Sequence, residues 1–412
     1  MLEGLRKGAM MAGRSVVVVG AGLAAARLVE ALRKGGFDGR ITLIGDEPHR
    51  PYDRPGLSKE VLQGEADAAA IYLHPASFYA DKQIDTHFGD AAACVDREAG
   101  VVWLASGRDV PYDDLVFATG SRARLLDLPG ADLHGVLTLR RMEDEAALRR
   151  SLDAGERVVL VGGGWIGLEV AAAAAEAGCQ VTVLEGLDLP LVGVLGPELA
   201  GHIAALHRAH GVDLRTGVTG EGFEGVDGRV TGVRVDGSVV PADVVVVGVG
   251  AIPNAELAAA SGLVVDNGIL VDEHLRTDDP HVGAIGDVAN AYNTTLGRHV
   301  RVEHWDNARR QGRFLASVLL GREGSYDWQP YFYSDQYDMS LDYLGRAGRD
   351  AHLVVKGDPA SGAYLASWLE GGVVTAALQV NTPRAAGPLR KVVGMSLTAD
   401  QLQEQDLADL VT

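Results

Sequence analysis

The residues of this chain best able to do chemistry are glycines. In "VVVVGAGLAA", Val16 to Ala25, Gly20 allows a tight turn and Gly22 lets a pyrophosphate close on the backbone. Ala25 takes the third position, where alanine is an accepted variant. A helix starting there offers phosphates its free N–H groups and the positive end of its dipole. Asp46, with Glu47 beside it, closes the next strand, where a carboxylate accepts hydrogen bonds from ribose hydroxyls. In "VVLVGGGWIGLE" the pattern returns complete: Gly162, Gly164 and Gly167 fill the three positions, and Glu185 closes "VTVLE". One glycine turn can arise for packing alone. Two, each with its acid, describe two dinucleotide sites or two structural βαβ units with coincidental acids.

The elements that must position these residues follow from the apolar periodicity. Val16 to Val19 reads as a strand, about Leu23 to Lys34 as a helix stopped by Gly35 and Gly36, and "ITLIG" as the next strand. From Arg157 the order recurs: strand, glycine turn, an alanine-rich helix to Ala177 capped by Gly178, and "VTVLE". Ala24 to Ala26 and Ala171 to Ala175 let helix and sheet approach closely. Further apolar strands run into Thr119-Gly120, into Gly248 and Gly250, and into Gly286-Asp287. From about Asp327 the chain becomes aromatic and alternating, which predicts antiparallel strands and a third domain.

Composition narrows the partners. The formal charge is −19, with no dense basic tract, which argues against nucleic acid and anionic membrane. "MLEGLRKGAMMAGR" lacks a signal-peptide core and no segment has the length and apolarity of a membrane span, so a cytoplasmic location is expected. Cys94 and Cys179 suit neither a disulfide framework nor a metal site and read as buried structural thiols. Taken alone, Lys59 and Arg140 read as solvated charges, Glu169 as an exposed helix glutamate, Trp165 as core and Asp287 as a helix cap.

"RPYDRPGLSK", "FATG", "GGGWIGLE", "AIGDV" and "YSDQYD" occur in the order found in FAD-dependent NADH:ferredoxin reductases of oxygenase systems, and the chain resembles that family over about residues 14 to 400. The resemblance implies an α/β fold of two Rossmann-like dinucleotide-binding domains, glutathione-reductase-like, with a C-terminal α+β domain. A discontinuous FAD-binding domain would span 14–120 and 252–326, an NAD-binding domain 121–251, and the C-terminal domain 327–412. Gly20, Gly22 and Ala24 would line the FAD pyrophosphate, with Ala25 beside them. Asp46 would meet the adenosine ribose, Ala92 the adenine side, and Asp287 the ribityl chain. Arg54, Lys59, Thr119, Gly120 and Arg140 would contact or border FAD, and Trp305 would border its ring. Gly162, Gly164, Trp165, Ile166, Gly167, Glu185 and Gly250 would form the NADH site. Glu169 would position the nicotinamide amide, and Trp165 could cover the flavin until NADH displaces it. Lys59, Glu169 and Trp305 are the expected catalytic residues. Gly56 and Gly283 depart from the family pattern, which usually has a second proline and a bulky residue there.

The implied activity passes electrons from NADH through FAD, one at a time, to a [2Fe-2S] or other small ferredoxin that feeds a dioxygenase or cytochrome P450. Glu185 favours NADH over NADPH, because it would repel a 2′-phosphate. "DNARRQGRFLASVLLG" reads as a helix with Ala308, Leu315 and Leu319 inward and Arg309, Arg310 and Arg313 on another face, either as a solvated surface or to dock the ferredoxin. Related disulfide reductases need a redox cysteine, and "RPYDRPGLSKEVL" has none. A rubredoxin reductase, or an NADH/FAD-gated signalling protein resembling apoptosis-inducing factor, is the alternative. The latter would be favoured by a long insertion or a basic face, and neither occurs.

Overall fold

A computed structural model describes residues 13–411, so the reading of the leader lies mostly outside the described residues. Two compact units are present. One comprises the chain up to Asp53, Ala69–Arg122 and Ile252–Gln329; the other comprises Arg54–Ala68, Ala123–Ala251 and the chain from Pro330.

In the first unit a parallel five-stranded sheet runs Val282–Ala284, Asp114–Phe117, Ser15–Val19, Arg40–Gly45, Ile84–Phe88. The first four strands in that order are buried nearly throughout because both faces are covered, whereas the edge strand Ile84–Phe88 exposes Asp85 and Thr86. The helix Leu23–Lys34 turns Ala24, Ala25, Ala26, Leu28, Val29 and Leu32 inward. The helix Trp305–Leu319 packs against it closely, since a Cβ on Gly312 would lie 2.3 Å from the Ala24 carbonyl oxygen. Gly283 is equally confined: a Cβ there would lie 2.9 Å from the Leu275 carbonyl oxygen and 3.1 Å from the Leu315 side chain. Leu315 occupies the volume a bulky residue would need.

The second unit repeats the plan. Its parallel sheet runs Asp213–Thr216, Val181–Glu185, Val158–Val161, Val244–Val247, Val136–Leu137. The helix Trp165–Glu176 follows the central strand, and every residue from Gly167 to Ala174 is buried. The aromatic tail forms an antiparallel sheet ordered Tyr331–Gln336, Met339–Gly345, Val373–Val380, Ala363–Glu370, His352–Asp358. One face of this sheet packs Leu341, Tyr343 and Trp368 against Leu168, Leu199 and Ile203, and the other is closed by Leu389, Val392 and Leu402 of the last helices. No helix among the described residues is long and apolar enough to cross a membrane.

The cysteine reading needs correction. Cys94 is exposed and Cys179 only half-buried. Cys94 lies in the strand Ala92–Asp96, on the outward side opposite buried Val95, and pairs across the ladder with exposed Trp103. Cys179 directs its thiol to the Leu152 carbonyl at 3.6 Å.

Candidate functional site: two glycine cradles and a buried carboxylate

At the carboxyl end of the first sheet Gly20 has φ +106°, and a Cβ there would lie 2.1 Å from the Ala118 carbonyl oxygen. Only glycine serves there. Gly22 is the opposite case: its φ is −92°, it caps the helix without a side-chain bond, and a Cβ would meet nothing within 4 Å. That opening, in front of free helix N–H groups, is where a pyrophosphate fits. Ala25 is fully buried beneath the turn, and Ala24 lies where Gly286 and Gly312 come against the helix.

Asp46 is exposed at the end of its strand, whereas Glu47 turns inward to accept from Tyr52 Oη at 2.6 Å. The Asp90 N–H bonds the Gly45 carbonyl, which brings Ala92 near the same strand end. Asp287 accepts from Ser121 Oγ at 2.8 Å, and its side chain is not a helix cap. Gln311 fixes the Gly286 N–H at 2.8 Å. Thr119 bonds the Asn254 carbonyl at 2.7 Å, and Gly120 follows with φ +66°. Trp305 opens its helix with Arg309 over its ring at 4.4 Å.

The second cradle has the same build. Gly162 has φ +105° and a Cβ there would lie 2.6 Å from the Gly248 carbonyl oxygen; at Gly167 it would lie 2.3 Å from that of Gly162. At Gly164 the nearest atom would be 3.7 Å away. Glu185 accepts the Gly163 N–H at 2.7 Å and the Leu187 N–H at 2.8 Å, so it fastens the turn as well as standing at the strand end. Ile166 is 45% exposed, Gly250 is exposed, and Trp165 packs on Phe332 with ring centroids 4.7 Å apart. The residues of both turns therefore fit dinucleotides.

Within the second unit lies a cluster that single-residue reading missed. Glu169, taken alone as a solvated helix residue, is 8% exposed. It accepts from Ser58 Oγ at 2.6 Å, Lys59 Nζ at 2.6 Å and Ser334 Oγ at 2.8 Å. Lys59 is likewise enclosed, with Asp335 at 3.7 Å. Both line a cavity of about 620 Å³. Gly56 sits in the 3₁₀ turn Arg54–Ser58, where its carbonyl accepts the Lys59 N–H at 3.3 Å, and Arg54 bonds the Arg140 carbonyl at 2.5 Å. Ser58 and Ser334 were legible only as parts of "LSK" and "YSDQYD".

The arginine helix is more internally bonded than its sequence suggests. Asp306, 1% exposed, accepts from Arg309 and Arg310 at 2.7 Å each and from Trp328 Nε1 at 2.8 Å. Of the three arginines Arg313 is exposed, and Arg309 and Arg310 are half-buried. Burial by itself would raise the Asp306 carboxyl, but the bonds from Arg310 and Arg309 outweigh it and hold the group below the ordinary aspartate range. A carboxyl with a depressed folded pKa stabilises above its unfolded pKa and loses that contribution as pH falls through the folded value. Thermal melts should therefore fall more steeply below about pH 4 in the wild type than in Asp306→Asn. Parallel slopes would show that Asp306 contributes no acid lability.

Residues 14–312 match the family described as pyridine nucleotide-disulphide oxidoreductase, and residues 331–411 the one described as reductase C-terminal. Rhodocoxin reductase of Rhodococcus erythropolis is 41% identical over 95% of this chain and 92% of its own. The ferredoxin--NAD(+) reductase component of the anthranilate 1,2-dioxygenase system of Burkholderia cepacia is 42% identical over 97% and 98%. A chain of the solved covalent putidaredoxin reductase-putidaredoxin complex superposes with a TM-score of 0.94 at 36% identity, covering 97% of this chain and 98% of that one.

Proposed function

The chain belongs to the pyridine nucleotide-disulphide oxidoreductase family, among the ferredoxin reductases of oxygenase systems, and from that premise we propose how its residues divide the work. It is an FAD-dependent reductase that takes electrons from NADH and delivers them singly to a small iron–sulfur protein serving an oxygenase. Bound FAD accepts the two electrons of a hydride together and releases them one at a time. The observation that carries the reading is the pair of matched turns, each with a second glycine open to a ligand.

The first turn, with Gly20, Gly22, Ala24, Asp46 and Asp287, holds FAD. This assigns 14–120 and 252–326 to flavin binding, 121–251 to the nicotinamide nucleotide and 327 onward to the C-terminal domain. The second turn, with Gly162, Gly164, Gly167 and Glu185, holds NADH, and Glu169 with Lys59 orients the nicotinamide end. Lys59 also keeps Glu169 charge-compensated away from bulk water. NADH supply places the enzyme in the cytoplasm. The protein should purify yellow, and anaerobic NADH should bleach it; a colourless protein that takes up no FAD, or a yellow one indifferent to NADH, contradicts the reading.

Glu185 also sets cofactor choice. Glu185→Arg removes the repulsion of a 2′-phosphate and also unfastens the Gly163 N–H. The ratio of kcat/KM for NADPH to that for NADH should rise by roughly 100-fold, while the value for NADH itself drops. An unchanged ratio rejects the assignment.

For the ferredoxin, the docking face centres on Arg313. With Arg27, Lys34, Arg322 and one acid, Glu30, it lines a cleft of about 350 Å³. Arg309 and Arg310 share Asp306 as Arg27 and Lys34 share Glu30, so each trio keeps one net positive charge. Ferredoxin reduction should slow with added salt, and Arg313→Glu should lower kcat/KM for ferredoxin by roughly ten-fold while NADH-to-ferricyanide turnover stays put. Equal loss of both activities would mark Arg313 as structural.

A further inference from the structure

The strand Tyr331–Gln336 carries polar residues at two inward positions. Ser334 and Gln336 are 0% and 1% exposed, and His207, on the helix Val192–Ala209, is 0% exposed. Apolar residues would fill these places without the cost of desolvating polar groups. The three groups are instead joined end to end. Ser334 Oγ lies 2.8 Å from Glu169 Oε1, Gln336 Nε2 lies 3.0 Å from Ser334 Oγ, His207 Nε2 lies 2.8 Å from Gln336 Oε1, and Tyr337 Oη lies 3.2 Å from His207 Nδ1.

The carboxylate sets the direction of the whole chain. Glu169, ionised against Lys59, can only accept, so the one Ser334 hydroxyl proton goes to it. Ser334 must then accept from the Gln336 amide nitrogen, which leaves the amide oxygen facing His207. His207 therefore carries its proton on Nε2, and its Nδ1 accepts from Tyr337. Every group is satisfied in one arrangement, and each bond is polarised toward the negative charge. Burial pushes the His207 imidazole down, which keeps the ring neutral as this arrangement requires.

We propose that Ser334, Gln336 and His207 are positioning residues that hold the Glu169 carboxylate in one orientation, so that recognition of the nicotinamide depends on a strand of the C-terminal sheet. The inference rests on the reading that Glu169 meets the nicotinamide. Removing the hydroxyl lets the carboxylate turn and leaves the Gln336 amide without its acceptor; removing the amide lets the hydroxyl turn instead. Both effects fall on a group that contacts the nucleotide, so they act on binding.

The test uses the flavin-loaded full chain and measures KM and kcat for NADH with ferricyanide, the Kd of NAD+, and melting. Ser334→Ala and Gln336→Leu should each raise KM and Kd together by roughly ten-fold, with kcat changed far less. Ser334→Thr, which keeps the hydroxyl, should recover most of the affinity. The double variant should be little worse than either single one, because both cut the same chain. Nitrogen-15 NMR of the wild type should show His207 as the Nε2–H tautomer, with protonation displaced to lower pH than in a free imidazole. Wild-type KM and Kd in both single variants, or an Nδ1–H ring, overturns the proposal. Glu169→Gln separates the two claims. If it alone raises KM the chain has no positioning role, and if it too leaves KM unchanged the assignment of Glu169 itself fails.

Discussion

Replacing Gly22 by alanine should leave the fold intact and strip the protein of flavin. At Gly22 the backbone lies in the extended region and an added Cβ meets no atom of the chain, so the apoprotein should remain within about 1 kcal/mol of wild type, the cost of an alanine helix cap. On the proposed reading the same methyl would stand in the path of the pyrophosphate, so FAD affinity should fall by about 100-fold or more. Gly20→Ala is the contrasting case. Its positive φ and the 2.1 Å approach to the Ala118 carbonyl should cost about 3 kcal/mol or more whether or not flavin is present. Calorimetry of apoprotein with FAD titration separates the two, and equal FAD affinity in Gly22→Ala and wild type would show that the opening is not a ligand site.

The second large effect belongs to the Lys59–Glu169 pair. Lys59→Met leaves a carboxylate that is 8% exposed with only two hydroxyl donors, which should cost about 3 kcal/mol and depress NADH-dependent flavin reduction by roughly 100-fold. Adding Glu169→Gln removes the stranded charge and keeps one of the two oxygens that Ser58 and Ser334 use, the amide nitrogen taking the place of the other. Most of the lost stability should return, yet the reduction rate should not. Rate and melting temperature recovering together would reduce the pair to a structural contact.

The two cradles were legible because long apolar runs, glycine turns and closing acids leave few alternatives. The helix Leu23–Lys34 and the strand Val181–Glu185 fall where the periodicity puts them. Glu169 was harder, since its partners lie 110, 111 and 165 residues away. A signal existed all the same. Between Gly167 and Ala174 the helix Trp165–Glu176 is apolar apart from Glu169, so an acid there sits among buried neighbours, although exposed Glu176, seven residues on, shares its face. The internal pairing of Arg309 and Arg310 was also written locally, in their three- and four-residue spacing from Asp306. Cys94 was misread although its neighbours mark it, since Val95 is buried and Asp96 exposed, which puts Cys94 on the outward side of the strand.

The central claim is that this chain converts paired electrons from NADH into single electrons for an iron–sulfur protein. The direct measurement is anaerobic stopped-flow mixing of the flavin-loaded protein with limiting NADH and excess [2Fe-2S] ferredoxin, following NADH and cluster absorbance together. The account expects about two ferredoxins reduced for each NADH consumed, at a rate that falls with ionic strength. NADH oxidised without cluster reduction across a panel of small iron–sulfur proteins, or no NADH oxidation by the yellow protein, would contradict it.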